Sequence, residues 1–218
     1  MRSHMNDHSI RKSFHKAVLN RHHSAKHTLV LDELGLMHGA CRADIAVVNG
    51  KLIGFEIKSD EDSLNRLKTQ VEAYNAVFDR ISIVVGERYR ETIPRRVPRH
   101  WGIFTTQVDK SGNVRFCLHR PAMPNPNVKP TAIARLLWRD EAIEILRNSR
   151  APAHIFRAPR GRIYQFLART LPLQKLKMLV REQLKARKNW RCRRRPCVYG
   201  GSSRPIAMLT DFQAWQPR

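Results

Sequence analysis

The chain has 218 residues, with 41 Lys/Arg against 18 Asp/Glu and a formal charge of +23 at pH 7. That length can bury a real core and holds one domain with an appendage, or two small domains. A charge surplus of this size exceeds what solubility requires and points to a polyanionic partner, because phosphates held by Lys and Arg release condensed counterions. No apolar run approaches the roughly 18 residues of a membrane span, which excludes a membrane role and makes a reducing, cytoplasmic setting the expectation.

In chain order, His8 to Arg21 places Ile10, Phe14, Ala17 and Val18 at helical spacing among basic residues. Thr28 to Leu36 reads as a strand, with Asp32 and Glu33 near its end. Two strands follow, at about 41–48 and 51–58, joined by Asn49-Gly50-Lys51 as a two-residue hairpin turn. Asp60, Asp62 or Ser63 would cap the next helix, whose apolar stripe is Leu64, Leu67, Val71, Tyr74, Val77 and Phe78. Ile81 to Val85 is a near-continuous apolar run, as in a strand buried on both faces. Trp101 to Thr106 and Val114 to Leu118 are further strands, the second following a turn at 109–113. The hairpin over 107–118 would lie at a sheet edge, where a homodimer or an unidentified partner protein could attach.

Four prolines interrupt 121–130, so a linker or wrapped strap is expected there. Ala132 to Arg147 has the pattern of an amphipathic helix, followed by helical segments near 161–169 and 172–188. The expected organisation is a core over 1–120, a Pro-rich linker over 121–130, a basic helical region over 131–190 and an Arg-rich, loosely structured tail over 191–218. Residues 131–218 carry a net +15 and residues 1–130 a net +8, so the acids concentrate in the core. Four cysteines (Cys41, Cys117, Cys192, Cys197) lack the paired spacing of a zinc site. His22, His23 and His27 read as a helix end near a basic patch, not as metal ligands.

Arg42-Ala-Asp44, opening one strand of the hairpin, and Glu56-Ile-Lys58, closing the other, carry the chemistry. Antiparallel pairing about the turn puts Asp44 near Glu56, with Lys58 two residues on and on the same face. Phe55 and Ile57 then face the core. Two acids and a lysine converging at one spot serve no packing purpose, whereas a divalent metal and a water to be activated need them. The bland alternative is a solvated polar strand face with an ordinary acid–lysine pair.

With an acid opening the second strand and acid-x-Lys on the third, the chain resembles the PD-(D/E)XK nuclease superfamily. The resemblance covers about residues 8–106 and implies a restriction-endonuclease-like α/β core: helix, three-stranded meander, helix, strand, here carrying a basic helical C-terminal appendage. Asp44 matches the first acid, Glu56 the second and Lys58 the lysine. The leading proline is absent, since Ala43 precedes Asp44. Glu33 corresponds to an upstream acid of many members, and Gln70-Val-Glu-Ala-Tyr74 looks like their Gln-x-x-x-Tyr element.

The resemblance implies a Mg²⁺- or Mn²⁺-dependent deoxyribonuclease. Asp44, Glu56 and the Ile57 backbone carbonyl would be metal ligands, and Glu33 would ligate a second metal or remain a surface acid. Lys58 would orient the attacking water or stabilise the developing oxyanion, and Gln70 would place an amide over the site. Tyr74 fits core and function equally.

Arg42 would clamp a phosphate or pair with Glu33 or Glu56. Affinity for nucleic acid is assigned to Arg160, Arg162, Arg169, Lys175, Lys177, Arg181, Lys185, Arg187, Lys188, Arg191, Arg193, Arg194 and Arg195. Spread without a base-reading module, these residues predict phosphate contacts and steep salt dependence. Trp190 and Tyr164 offer faces for base stacking, while Trp138 sits on an apolar stripe and reads as core. DNA is favoured over RNA, since no aromatic RNP-like signature or Gly-x-x-Gly clamp occurs. The competing functions are a nucleic-acid-binding protein with a nuclease fold but no cleavage, and an RNA-directed factor.

Overall fold

Asn6 caps the first helix through its side-chain oxygen, which accepts from the Ser9 N–H at 2.9 Å. Helix α1 (Asp7–Ala17) buries Ile10 and Phe14 completely, and a short helix α2 (Asn20–Ser24) follows. The sequence pattern over 8–21 therefore covers two helices, broken around Leu19, which is itself buried. The computed structural model describes residues 6–109, 111–149 and 151–187. The Arg191–Arg195 cluster, Lys188, Trp190 and the tail lie outside the described residues.

Six strands form one mixed sheet in chain order: β1 (Leu29–Leu36), β2 (Cys41–Val48), β3 (Leu52–Lys58), β4 (Arg80–Gly86), β5 (Gly102–Val108) and β6 (Val114–Arg120). β1, β2 and β3 are an antiparallel meander. β3 and β4 run parallel, joined by helix α3 (Leu67–Val77). β4 and β5 are also parallel, and β6 returns antiparallel at the edge. Val48 pairs with Leu52, so three residues, not two, connect β2 and β3. Asn49 closes this loop by accepting the Lys51 N–H on its side-chain oxygen.

β3 is buried at every position, and this corrects the expectation that only the face bearing Phe55 and Ile57 is turned to the core. On one face Phe55 meets Phe14 of α1, which also packs edge-on against Phe104 and Phe116. On the other face Gly54 makes room for Phe78, because a Cβ there would lie 2.6 Å from its ring. Helix α3 begins at Leu67, later than the sequence suggests. The Ser59–Asp62 segment turns on itself instead, with Asp62 accepting both the N–H and the hydroxyl of Ser59.

Residues 121–129 are strapped against the end of α3 and the start of β4. The Asn125 side-chain amide donates to the Asn75 and Phe78 carbonyls, and the Lys129 N–H to Ala76. Five helices follow: α4 (Pro130–Ala134), α5 (Arg139–Arg147), α6 (Ala153–Phe156), α7 (Arg160–Thr170) and α8 (Leu173–Ala186). The single helix expected over 132–147 is two. Trp138 takes an extended conformation between them, and Glu141 reaches back to accept its N–H at 2.7 Å. Trp138 is 56% exposed, which overturns its assignment to the core, and Arg187 stacks on its ring.

Among the described residues no helix is long and apolar enough to cross a membrane.

Candidate carboxylate site at the fork of two strands

The β2–β3 ladder pairs Ile45 with Phe55 and goes no further towards Asp44 and Glu56. Tyr74 on α3 explains the stop. Its hydroxyl accepts the Asp44 N–H at 3.0 Å and donates to the Phe55 carbonyl, standing in for the missing ladder bond. The strands fork at this wedge, and the Asp44 carboxylate turns into the opening to accept the Ile57 N–H at 2.7 Å. Tyr74 is fully buried and its hydroxyl pKa is driven well up by burial and by the nearby Glu56 and Asp44 charges, so it remains a proton donor.

Glu56 is completely buried. Its Oε1 accepts the Lys58 ammonium at 2.8 Å and the Gln70 side-chain N–H, while its Oε2 has no hydrogen-bond partner among the described residues. Lys58 is 6% exposed, so this pair is a desolvated ion pair, unlike a surface contact. Asp44 is less enclosed, yet burial and the Glu56 charge push its carboxyl up to about 7, against the opposing pull of the Ile57 N–H and Arg11. Asp44, Glu56 and Lys58 are thus brought together, as the sequence spacing predicts. Gln70, expected from the resemblance, joins them, while Ile57 engages Asp44 through its N–H and not its carbonyl.

Glu33 and Arg42 stand apart from that group. Glu33 is exposed, adopts a left-handed φ of +56°, and turns its carboxylate to Arg11 and Arg42, each at 3.5 Å. Arg42 is exposed and engages Glu33, one of its two expected partners.

Sequence reasoning missed Arg11. From α1 it donates to Asp44 Oδ1 at 3.2 Å and to Asp7 at 2.9 Å. The available signal was its position next to Ile10, at the edge of the buried stripe and one turn after Asp7. His15 was also missed: it hydrogen-bonds Asp32 at 2.8 Å and His23 at 2.9 Å.

The three buried side-chain polar atoms that lack a hydrogen-bond partner among the described residues are Arg11 Nε, Glu56 Oε2 and Gln70 Oε1. All three belong to this one cluster. Buried polar atoms without a protein partner are the places where a water or a ligand can be held. Among the described residues no group of three or more His, Cys, Asp and Glu is arranged to hold a metal ion. Cation binding would therefore rest on two carboxylates, a backbone oxygen and water. Mg²⁺ fits that donor set, because it keeps several waters and binds through one or two carboxylates. The orphaned Glu56 Oε2 is a ready hard-oxygen donor.

The basic residues divide. Arg160, Arg162, Arg169 and Lys175 are exposed, and Arg181 is half-buried. Lys177 is buried and bonds Asp79 at 2.6 Å, so it is a strut between α8 and the start of β4 and cannot also grip a phosphate. Arg187 is withdrawn in the same way, held by both Glu141 oxygens and the Leu136 carbonyl. Lys185 donates to the Asn49 carbonyl of the β2–β3 loop. Tyr164 is buried with its hydroxyl on the Leu137 carbonyl, which removes it as a stacking face.

No solved structure matches this chain. Protein cII of Enterobacteria phage P4 is 36% identical over 87 residues, a match covering 40% of this chain and 33% of that protein. The model of the family Bacteriophage P4 protein cII matches residues 5–194, well over half of the sequence. The chain belongs to the bacteriophage P4 protein cII family.

Proposed function

We propose that this protein is a metal-dependent nuclease of the PD-(D/E)XK type that hydrolyses phosphodiester bonds, with DNA as its substrate. The observation that carries the reading is the Glu56 carboxylate: buried, held on one oxygen by Lys58 and Gln70, unpartnered on the other, beside an Asp44 whose carboxyl is pushed up to about 7. The element order α1, β1–β3, α3, β4 also supports it, since it follows the helix, meander, helix, strand of a restriction-endonuclease-like core.

A Mg²⁺ or Mn²⁺ bound by Asp44, Glu56 and the Ile57 carbonyl would supply an acidified water and neutralise charge on the scissile phosphate. The chain's own residues set the geometry. Glu56 is fixed by burial and by Gln70, so its free oxygen points from a rigid strand. Lys58 holds a proton-bearing ammonium within reach of the same carboxylate, placed to orient a water or meet a developing oxyanion. Arg11 balances Asp44 until a phosphate or cation takes its place.

Arg11 and Lys58 also neutralise both acids within the protein, and this observation favours the second reading, a nucleic-acid-binding protein without cleavage.

The deciding experiment incubates the protein with plasmid and with single-stranded DNA, plus Mg²⁺ or Mn²⁺, beside Asp44→Ala and Lys58→Ala. Metal-dependent cleavage that both substitutions abolish, with DNA binding retained, is the expected result. Tight, salt-sensitive binding without cleavage, indifferent to both substitutions, would replace it with the second reading.

A further inference from the structure

We infer that the connection from β4 to β5, residues 87–101, is the surface that grips the sugar–phosphate backbone of the nucleic-acid strand beside the carboxylate site. The inference rests on the nuclease reading for its partner. This connection carries Arg88, Arg90, Arg95, Arg96 and Arg99, and all five are exposed. Tyr89, Ile93 and Val97 are buried beneath them, so the arginines are displayed on an anchored segment.

The anchor leads to the site. The Arg88 N–H donates to Asp60 Oδ1 at 3.0 Å, its guanidinium to the Asp60 carbonyl at 2.9 Å, and the Tyr89 hydroxyl to the Asp62 carbonyl. Asp60 and Asp62 lie in the turn that directly follows Lys58. Gly86 is required for this docking, because a Cβ there would sit 2.0 Å from Asp60 Oδ1. The connection is therefore latched to the end of the strand that bears Glu56 and Lys58.

Its charges are available. Arg90 is occupied by Glu87 at 3.0 Å, but Arg95, Arg96 and Arg99 have no acidic partner within 4 Å among the described residues. Arg96 and Lys68 line one groove of about 470 Å³ whose apolar residues are Leu64, Leu67 and Val71. Lys68 is on α3, two residues before the Gln70 that touches Glu56, so the groove lies on the same helix, about 200° round from the face that reaches the site. Two cations with no acidic partner among the described residues, beside aliphatic side chains and Asn65, suit a phosphate with its sugar and base lying flat. An acidic polypeptide would meet the charges; the attachment of this connection to the turn that follows Lys58 selects a nucleic acid.

The test is anisotropy of a labelled single strand across a salt series in metal-free buffer, so that binding is read without cleavage. The Lys68→Gln/Arg95→Gln/Arg96→Gln variant should lose about 10–100-fold in affinity at low salt. Its log–log salt slope should shrink by about 2, three phosphate contacts at roughly 0.7 each. These side chains are exposed, so its melting temperature should match wild type; Arg99→Gln should show a smaller loss in the same sense. Unchanged affinity and slope in a protein that binds DNA would overturn the inference and leave the nuclease reading standing. Polyglutamate bound as tightly as DNA, and equally weakened in the variant, would reassign the surface to an acidic polypeptide. A wild-type protein that binds no nucleic acid would defeat the inference together with the nuclease reading.

Discussion

Buried charge is handled differently where β2, β3 and α3 meet and where α4–α8 pack on the sheet. In the helical region Lys177 finds Asp79, and Arg187 finds Glu141, a carbonyl and the Trp138 ring. Among the described residues no buried side-chain polar atom there lacks a partner, and the two cations act as struts. At the strand fork Glu56, Lys58, Asp44 and Arg11 are also brought together out of water, yet an oxygen of Glu56, an oxygen of Gln70 and a nitrogen of Arg11 are left over. Two desolvated networks in one fold thus differ in completeness, and it is the incomplete one that keeps polar atoms without a partner among the described residues.

The largest expected effect follows from removing one member of the incomplete network. Glu56→Ala strands the Lys58 ammonium at 6% exposure, and removing one partner of a buried pair costs about 3–5 kcal/mol. Urea denaturation should show that loss, and Glu56→Gln, which keeps the shape and one acceptor oxygen but not the charge, should recover only part of it. Equal stability of Glu56→Ala and wild type would mean that the pair is solvated and the contrast false.

Asp44→Asn should act in the opposite direction. With its carboxyl raised to about 7, the folded protein holds a proton between about pH 4 and about pH 7 that the unfolded chain releases. Stability therefore falls as pH rises through that window, by an amount on the order of 4 kcal/mol at most. Asn keeps an acceptor for the Ile57 N–H and carries no charge, so metal-free Asp44→Asn should melt several degrees above wild type at pH 8, with a flatter stability–pH curve. A lower melting temperature at pH 8 would show that the Arg11 pair outweighs burial. Mg²⁺ should raise the wild-type melting temperature at pH 8 and leave that of Asp44→Asn unchanged.

The smallest effects distinguish strut from grip within the helical region. Lys177→Met should cost about 1–3 kcal/mol through the stranded Asp79 while leaving the salt slope of DNA binding untouched. Arg162→Ala, at an exposed position, should leave stability within about 0.5 kcal/mol and reduce that slope by roughly 0.7–0.9. The reverse pattern, measured by melting and by binding across salt, would invert the division of basic residues.

Much of the site was legible because its geometry is local. Asp44 and Glu56 are related by one hairpin, and the apolar alternation around Ile45 and Phe55 fixes which residues oppose each other. Gln70 and Tyr74 follow on the next helix, one turn apart. Arg11 was not legible, since it arrives from an element 33 residues away whose own pattern speaks only of core packing. Lys177 and Asp79 are 98 residues apart, and nothing in a run of lysines marks which one will be withdrawn. The break at Trp138 was hidden by an apolar stripe that continues across it, because periodicity does not register a backbone cap. That β3 is buried on both faces follows from α3 and α1 covering opposite sides, a consequence of tertiary packing that alternation alone cannot supply.

The Tyr74 wedge has a consequence for how the molecule is made. A β-hairpin left to itself zips to its ends, and this one is stopped three residue pairs short by a phenol delivered from a helix that the ribosome completes later. Until α3 docks, nothing holds the strand ends apart, and the two carboxylates have no fixed separation. The separation of Asp44 and Glu56 is thereby a property of the packed helix and hairpin together, and the hairpin alone does not set it.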